Sequence, residues 1–364
     1  MRAARGLLKF PGIKEAVEVH LELTSRQRAL EAAVEAFVAG WLPPPADLGD
    51  YFAALNERGW SAPGWPQPWG GGLEPVEAFL VERALARAGA PMLDAGNLQH
   101  AGPLLMSLAD EPLCRRFLPA MACGQVRWAV HGSLLGAAPV EGRALSGGIE
   151  LQTQRTLLNG ACRATAVALL VESPTERALA VAELLETAIT PNQPLDPDTV
   201  DLTALRFEVL ATTGTHPNLA SALAALRVVR TGCWSGRLRR QLERLGAEDP
   251  AAESELAALA VSLAGLEAME QRAVFTADDG LSEAVAIRAA ELGRQLAERW
   301  VEQLGYYALP APDPTRQHNE LPAQALAAQD AMAELIRYLD GDLWTRRDVL
   351  ARGLGIAAKP GALR

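Results

Sequence analysis

The sequence predicts an α+β chain, mostly α, in three blocks: helices, then short antiparallel strands, then helices again. Three observations predict it. Before Gly124 and after "TGTHPN", apolar residues recur at spacings of three and four, the mark of helices with one buried face. Between them lie short runs that alternate or carry β-branched residues, cut by Gly, Pro, Asn and Ser, which read as strands. Aromatics are only 5% while alanine and arginine abound, a composition that favours helices. The expected domains are 1–124 (helical), 125–213 (β) and 214–364 (helical bundle).

The first helix starts at "TSRQRALEAAVEAFVAGWL", where Thr24 or Ser25 can cap and Leu30, Val34, Phe37 and Trp41 share a face. "PPPADLGD" breaks it, and "YFAALNERGW" is a second, short helix with Gly59 as its stop. "PVEAFLVERALARAGA" is a third, with Val76, Phe79, Leu80, Ala84 and Leu85 on one side. "GPLLMSLADEPLCRRFLPAMACGQ" is two helices split near Asp110–Pro112. The candidate strands are "VRWAVHGS", "GIELQTQRTLLNG", "TAVALLVES", "ALAVAELLE" and "LRFEVLAT"; the fourth suits a helix equally well. Helical periodicity then returns in "LASALAALRVVRTGCWSGRLRRQLERLG", "ESELAALAVSLAGLEAMEQRAVF", "LSEAVAIRAAELGRQLAERWVEQLG" and "PAQALAAQDAMAELIRYL". Leu223, Leu226, Leu263, Leu266, Leu292 and Leu296 are expected in the bundle's core seams.

The bulk properties exclude several classes. A net charge of −10 argues against nucleic acid or an anionic membrane as partner. No window of about 18 apolar residues exists, so no membrane span is expected. The N-terminus lacks a signal-peptide core, since Lys9 and Pro11 interrupt "GLLKFPGIKEA". The four cysteines are scattered without a CxxC pair, which fits a reducing cytoplasm and gives no metal site. His131 lies beside Gly132–Ser133, so a Ser–His pair is imaginable, but no nucleophile elbow accompanies it. "HGSLLG" and "GRALSGG" lack the lysine and context of a phosphate loop.

The most distinctive stretch is "LNERGWSAPGWPQPWGGGLEPVEAFLVERALARAGAP", Leu55 to Pro91. It resembles the acyl-CoA dehydrogenase signature L-x-x-x-G-W-x-A-P-x-W-P-x-x-x-G-G and the helix that follows. "LTSRQRALEAAVEAFVA" resembles that family's opening helix, "GPLL" and "RRFLPAMACGQVRWAV" follow in its order, and "LRFEVL" and "ARGLGIAAKP" resemble its last β-domain strand and its ending. The likeness runs from about Leu21 to Pro360, and the "APxWP" variant is similar to the branch acting on bulky, steroid-like CoA thioesters. It implies a helical domain, a middle antiparallel β domain and a C-terminal four-helix bundle that is the assembly surface. The aromatic turn is then a packing element.

The resemblance implies FAD, an acyl-CoA substrate and a carboxylate base, and it assigns positions to each. The flavin-cradling S-E-P-x-A-G-S-D is "SLLGAAPV" here, with Ser133 and Ala137 in agreement. N-G-x-K-x-W is "NGACRA": Asn159 and Gly160 stay, Cys162 replaces lysine, and Ala164 replaces the tryptophan that lies against the flavin. R-x-Q-F-G is "LERLG", with Leu242 at the arginine, and Arg239 and Arg240 a turn away as substitutes. G-G-T-S-E-I-Q-R-N is "DGDLWTRRD", which keeps Gly341 and Arg347. Glu243 and Asp340 fall at the two positions where the family places its base.

Three readings follow. In the first, the chain is the relaxed member of a heteromeric acyl-CoA dehydrogenase of lipid or steroid degradation, and a related chain supplies the flavin-binding side chains that this one lacks. In the second, it is a binding or structural protein that no longer handles FAD. In the third, it is an active homomer using Glu243.

Overall fold

A computed structural model describes residues 22–304 except 43–46, 94–95, 136–138, 146–147, 159–163, 174–175, 191–197, 213, 220, 224–233 and 249–252. Two compact units result, one around Ala29–Gly232 and one carrying the helices after Cys233.

The first unit opens with α1 (Ser25–Ala39), α2 (Gly49–Glu57) and α3 (Pro75–Ala88). Thr24 starts α1 through a reciprocal cap: the Gln27 N–H donates to the Thr24 hydroxyl, and the Thr24 N–H donates to the Gln27 side-chain oxygen. Pro75 begins α3, and Gly89, in the left-handed region at φ 68°, ends it. The three helices enclose a core of Val34, Val38, Tyr51, Phe52, Leu55, Val81 and Leu85. A π-helical turn (Gly96–Ala101), α4 (Gly102–Leu108) and α5 (Glu111–Ala122) follow. The expected split before Pro112 is there, with Asp110 capping α5 through the Leu113 N–H at 3.0 Å.

The aromatic turn lies between α2 and α3. Trp65 is buried, and its indole N–H donates to the Leu98 carbonyl at 2.9 Å. Its ring lies where a β-carbon on Gly102 would be, so the first turn of α4 meets the indole only as glycine. The turn is therefore a packing element between the helices and the sheet, as the resemblance implied.

The β region contains β1 (Trp128–Val130), β2 (Val140–Leu145), β3 (Gly148–Leu151), β4 (Arg155–Leu158), β5 (Ala166–Glu172), β6 (Arg177–Glu183), β7 (Ile189–Thr190), β8 (Asp198–Asp201) and β9 (Glu208–Thr212). Strands β3-β2-β5-β6-β9 form one sheet, with β1 also paired to β5, and β4-β8-β7 form a second. Pairing is mainly antiparallel, but β1 and β2 both run parallel to β5, so the main sheet is mixed.

Alternation along β5 and β6 builds two cores. Ala166, Ala168, Leu170, Leu179 and Val181 face the helices with Trp65, Leu105, Leu118 and Met121. Val167, Leu169, Val171, Ala178, Ala180 and Ala182 face the second sheet with Leu158, Val200 and Leu202. The first part of the ambiguous "ALAVAELLE", Ala178–Glu183, is thus a strand buried on both faces up to Ala182, with alanines where the two sheets meet. Strands β2, β7 and β8 were not expected from the sequence. Leu223 was expected in the bundle but lies in the first unit's core, beside Leu219.

The second unit contains α6 (Trp234–Glu248), α7 (Glu253–Thr276) and α8 (Asp279–Leu304). Leu238, Leu242 and Leu245 of α6 meet Leu263 and Leu266 of α7 and Val285, Leu292, Leu296 and Trp300 of α8. Asp278 caps α8, accepting the Leu281 N–H at 3.0 Å. The fourth expected helix, "PAQALAAQDAMAELIRYL", lies outside the described residues.

Candidate functional site

The segment matched to the flavin cradle begins where the main sheet's edge is interrupted. β1 pairs with β5 up to Ala168, and β2 resumes at Val171. Between them the chain makes a short 3₁₀ turn, Gly132–Leu135. The break leaves the Leu170 N–H without a strand partner, and the Ser133 hydroxyl takes that place, accepting it at 2.9 Å. The turn is fixed at both ends. The His131 N–H donates to the Ala168 carbonyl at 2.9 Å, and the Leu134 N–H donates to the His131 carbonyl at 3.0 Å. Upstream, the buried Asn97 side chain accepts the Trp128 N–H at 2.7 Å and donates to the Val126 carbonyl at 2.6 Å, which aligns β1 on the helices.

The Ser133–His131 pair imagined from the sequence does form. The Ser133 N–H donates to His131 Nδ1 at 3.1 Å, so Nδ1 is an acceptor. The Ser133 hydroxyl, 2.8 Å from the same nitrogen, then donates to it. Nε2 carries the ring proton and gives it to Thr156 Oγ1 of β4 at 2.8 Å. Burial holds the ring's pKa below its ordinary 6.5, so the neutral form prevails. Ser133 has no exposed surface. A hydroxyl buried to this degree is no nucleophile toward a substrate, and the pair is a structural clamp.

On α6, Leu242 stands where the resemblance puts an arginine, and it is buried in the helix core with Leu238 and Leu245. Arg239 makes a two-pronged ion pair with Glu267 of α7, at 2.9 and 2.8 Å, and this pair is the main cause of its raised pKa. Glu243 is exposed on the same helix and adds to that rise, and Arg240 is half-buried. Sequence reasoning misses Glu270 of α7. It is fully buried and accepts the Trp234 N–H at 3.0 Å, the Ser235 N–H at 3.3 Å and the Ser235 hydroxyl. A neighbouring helix thus caps α6 and answers the positive end of its dipole. No local motif announces this, because the cap lies 35 residues away from Ser235 in the chain.

Asn159, Gly160, Asp340 and Arg347 lie outside the described residues. Ala164, at the tryptophan position, packs against the second β core. Ser133, Ala164, Leu242 and Arg239 thus have their side chains engaged inside their own units. The buried Ser133 and Leu242 side chains offer a flavin almost no surface, whereas the Arg239 guanidinium stays partly exposed beside Glu267. Among the described residues no group of three or more His, Cys, Asp or Glu side chains could hold a metal. No described helix is long and apolar enough to cross a membrane.

Comparison with known proteins agrees with this architecture. Residues 24–125 match the acyl-CoA dehydrogenase N-terminal domain. Two curated relatives come from Mycobacterium tuberculosis. Acyl-CoA dehydrogenase FadE29 is 30% identical over 122 residues, 30% of this chain and 31% of that protein. Acyl-CoA dehydrogenase FadE34 is 33% identical over 75 residues, 21% of this chain and 10% of that protein. The matches therefore span a third or less of each relative. Solved structures share the fold over more of the chain. The ChsE4–ChsE5 complex from Mycobacterium tuberculosis gives a TM-score of 0.70 at 16% identity, over 93% of this chain and 100% of that chain. The Tcur3481–Tcur3483 steroid ACAD gives 0.69 at 17% identity, with the same coverage of 93% and 100%. Glutaryl-coenzyme A dehydrogenase, in complex with glutaryl-CoA, gives 0.68 at 14% identity over 92% of this chain and 97% of that chain. The N-terminal domain of the acyl-CoA dehydrogenase family is thus present at residues 24–125, and these solved structures share the chain's fold over 92–93% of its length.

Proposed function

We propose that this chain is a subunit of a heteromeric acyl-CoA dehydrogenase and that a related partner chain supplies the flavin contacts. The complex would oxidise an acyl-CoA thioester to its 2,3-enoyl-CoA. One observation carries this reading: positions matched to flavin contacts are engaged in holding the fold. Leu242 is core, and the Ser133 hydroxyl caps Leu170. Similarity to two structures named for pairs of chains, ChsE4–ChsE5 and Tcur3481–Tcur3483, supports the heteromer. The second of those names makes a steroid-type acyl group the first substrate class to try. Asn159, Gly160, Arg240 and Arg347 remain the positions at which this chain would touch a shared cofactor, and Glu243 or Asp340 would be its base if it supplied one.

The test is a visible absorbance spectrum of the chain purified alone and after co-expression with an acyl-CoA dehydrogenase chain whose flavin motifs are intact. The expected result is no flavin in the lone chain and flavin in a co-purifying pair. Stoichiometric flavin in the lone chain would overturn the proposal in favour of an active homomer. No flavin in either, with no stable pair, would favour a protein that has left redox chemistry.

A further inference from the structure

Independently of that reading, the clamp at the main sheet's broken edge has a property of its own. His131 Nδ1 receives two donors from Ser133, its N–H at 3.1 Å and its hydroxyl at 2.8 Å, while Nε2 donates to Thr156 at 2.8 Å. One ring therefore joins the β1–β2 turn of the first sheet to β4 of the second. Only the neutral ring can accept the Ser133 N–H, because a doubly protonated imidazole has a hydrogen on each nitrogen and can only donate, to the two hydroxyls. A proton on Nδ1 would face the Ser133 N–H, and the turn would have to move to separate them.

We propose that His131 is a pH-sensitive latch that holds the Gly132–Leu135 turn closed against β5 and releases it on protonation. The charged residues on the elements around the ring are Arg127 ahead of β1, Glu141 and Arg143 on β2, Arg155 on β4, Asp198 and Asp201 on β8, and Glu172 at the end of β5. Arg155 and Thr156 are consecutive in a strand, so they point to opposite faces. None of these enters the balance at the ring, where burial alone sets the direction. The sign follows. An unfolded histidine takes up its proton near the ordinary 6.5, and the folded ring does so lower. The latch is therefore intact above that value and weakens as pH falls from it through the folded pKa.

Amide hydrogen exchange tests this, with rates corrected for the intrinsic effect of pH and read at about one unit above and below 6.5. Protection at Leu170 and Ser133 should fall about tenfold at the lower pH, while Leu179 inside β6 stays protected. His131→Asn, which cannot titrate, should abolish the pH response. Ser133→Ala removes the Leu170 acceptor and should expose that amide at both pH values. If His131→Asn does not fold, the comparison is between the native chain at low pH and Ser133→Ala at high pH, whose Leu170 exchange should agree. Equal Leu170 protection in the native chain at both pH values would overturn the latch. So would an acid response that persists in His131→Asn.

Discussion

The aromatic turn and helix α6 both align with family motifs, and they behave oppositely. The turn keeps its motif. Trp65 fills the space between helices and sheet, its N–H bonds to the Leu98 carbonyl, and Gly102 leaves room for the ring. α6 is a helix with Leu242 in its core, where the resemblance puts an arginine. The turn's residues contact one another within a single chain, so any change costs this chain its own stability. Under the proposed heteromer, an arginine at that position would cost nothing to lose, and a leucine there adds apolar burial.

Leu242→Arg is the severest test of that contrast. It would place an unpaired charge among Leu238, Leu245 and Leu263, and a loss of about 3–5 kcal/mol is expected by urea denaturation. A stable Leu242→Arg protein that gains flavin absorbance would mean that α6 still faces a cofactor. Gly102→Val should cost about 3 kcal/mol or prevent folding, because its side chain overlaps the Trp65 ring. Trp65→Phe, which leaves the Leu98 carbonyl unpaired and part of the indole volume empty, should cost about 2 kcal/mol in the same assay. Arg239→Gln removes a half-exposed ion pair with Glu267 and should cost about 1 kcal/mol, less at high salt. If it instead lowers flavin content in a co-purified pair without changing stability, Arg239 serves the cofactor. The smallest effect concerns Cys114. Burial, helped by Asp110 and Glu111, raises its thiol pKa, so thiol reagents should leave it unmodified in the folded chain near neutral pH.

Much of the fold was legible locally. Helix starts at Thr24 and near Asp110 and the stop at Gly59 follow from side chains that hydrogen-bond or turn within a few residues of themselves. Strand β2 was not legible, because "VEGRAL" mixes charges with a glycine and gains its order from β3 and β5. Of the candidate site, the Ser–His pair could be guessed from adjacency, but Thr156 on another strand could not.

The sequence by itself determined the order of the blocks, the helix boundaries and the aromatic turn, since these rest on periodicity, capping and glycine geometry over short spans. Only the tertiary structure decided that "ALAVAE" is a strand, that Leu223 belongs to the first core, and that Ser133 and Leu242 face inward. Those outcomes depend on which surfaces meet across distant parts of the chain. An alanine–leucine run takes the form that buries it on both faces, and a hydroxyl takes whichever unpaired backbone N–H lies within reach.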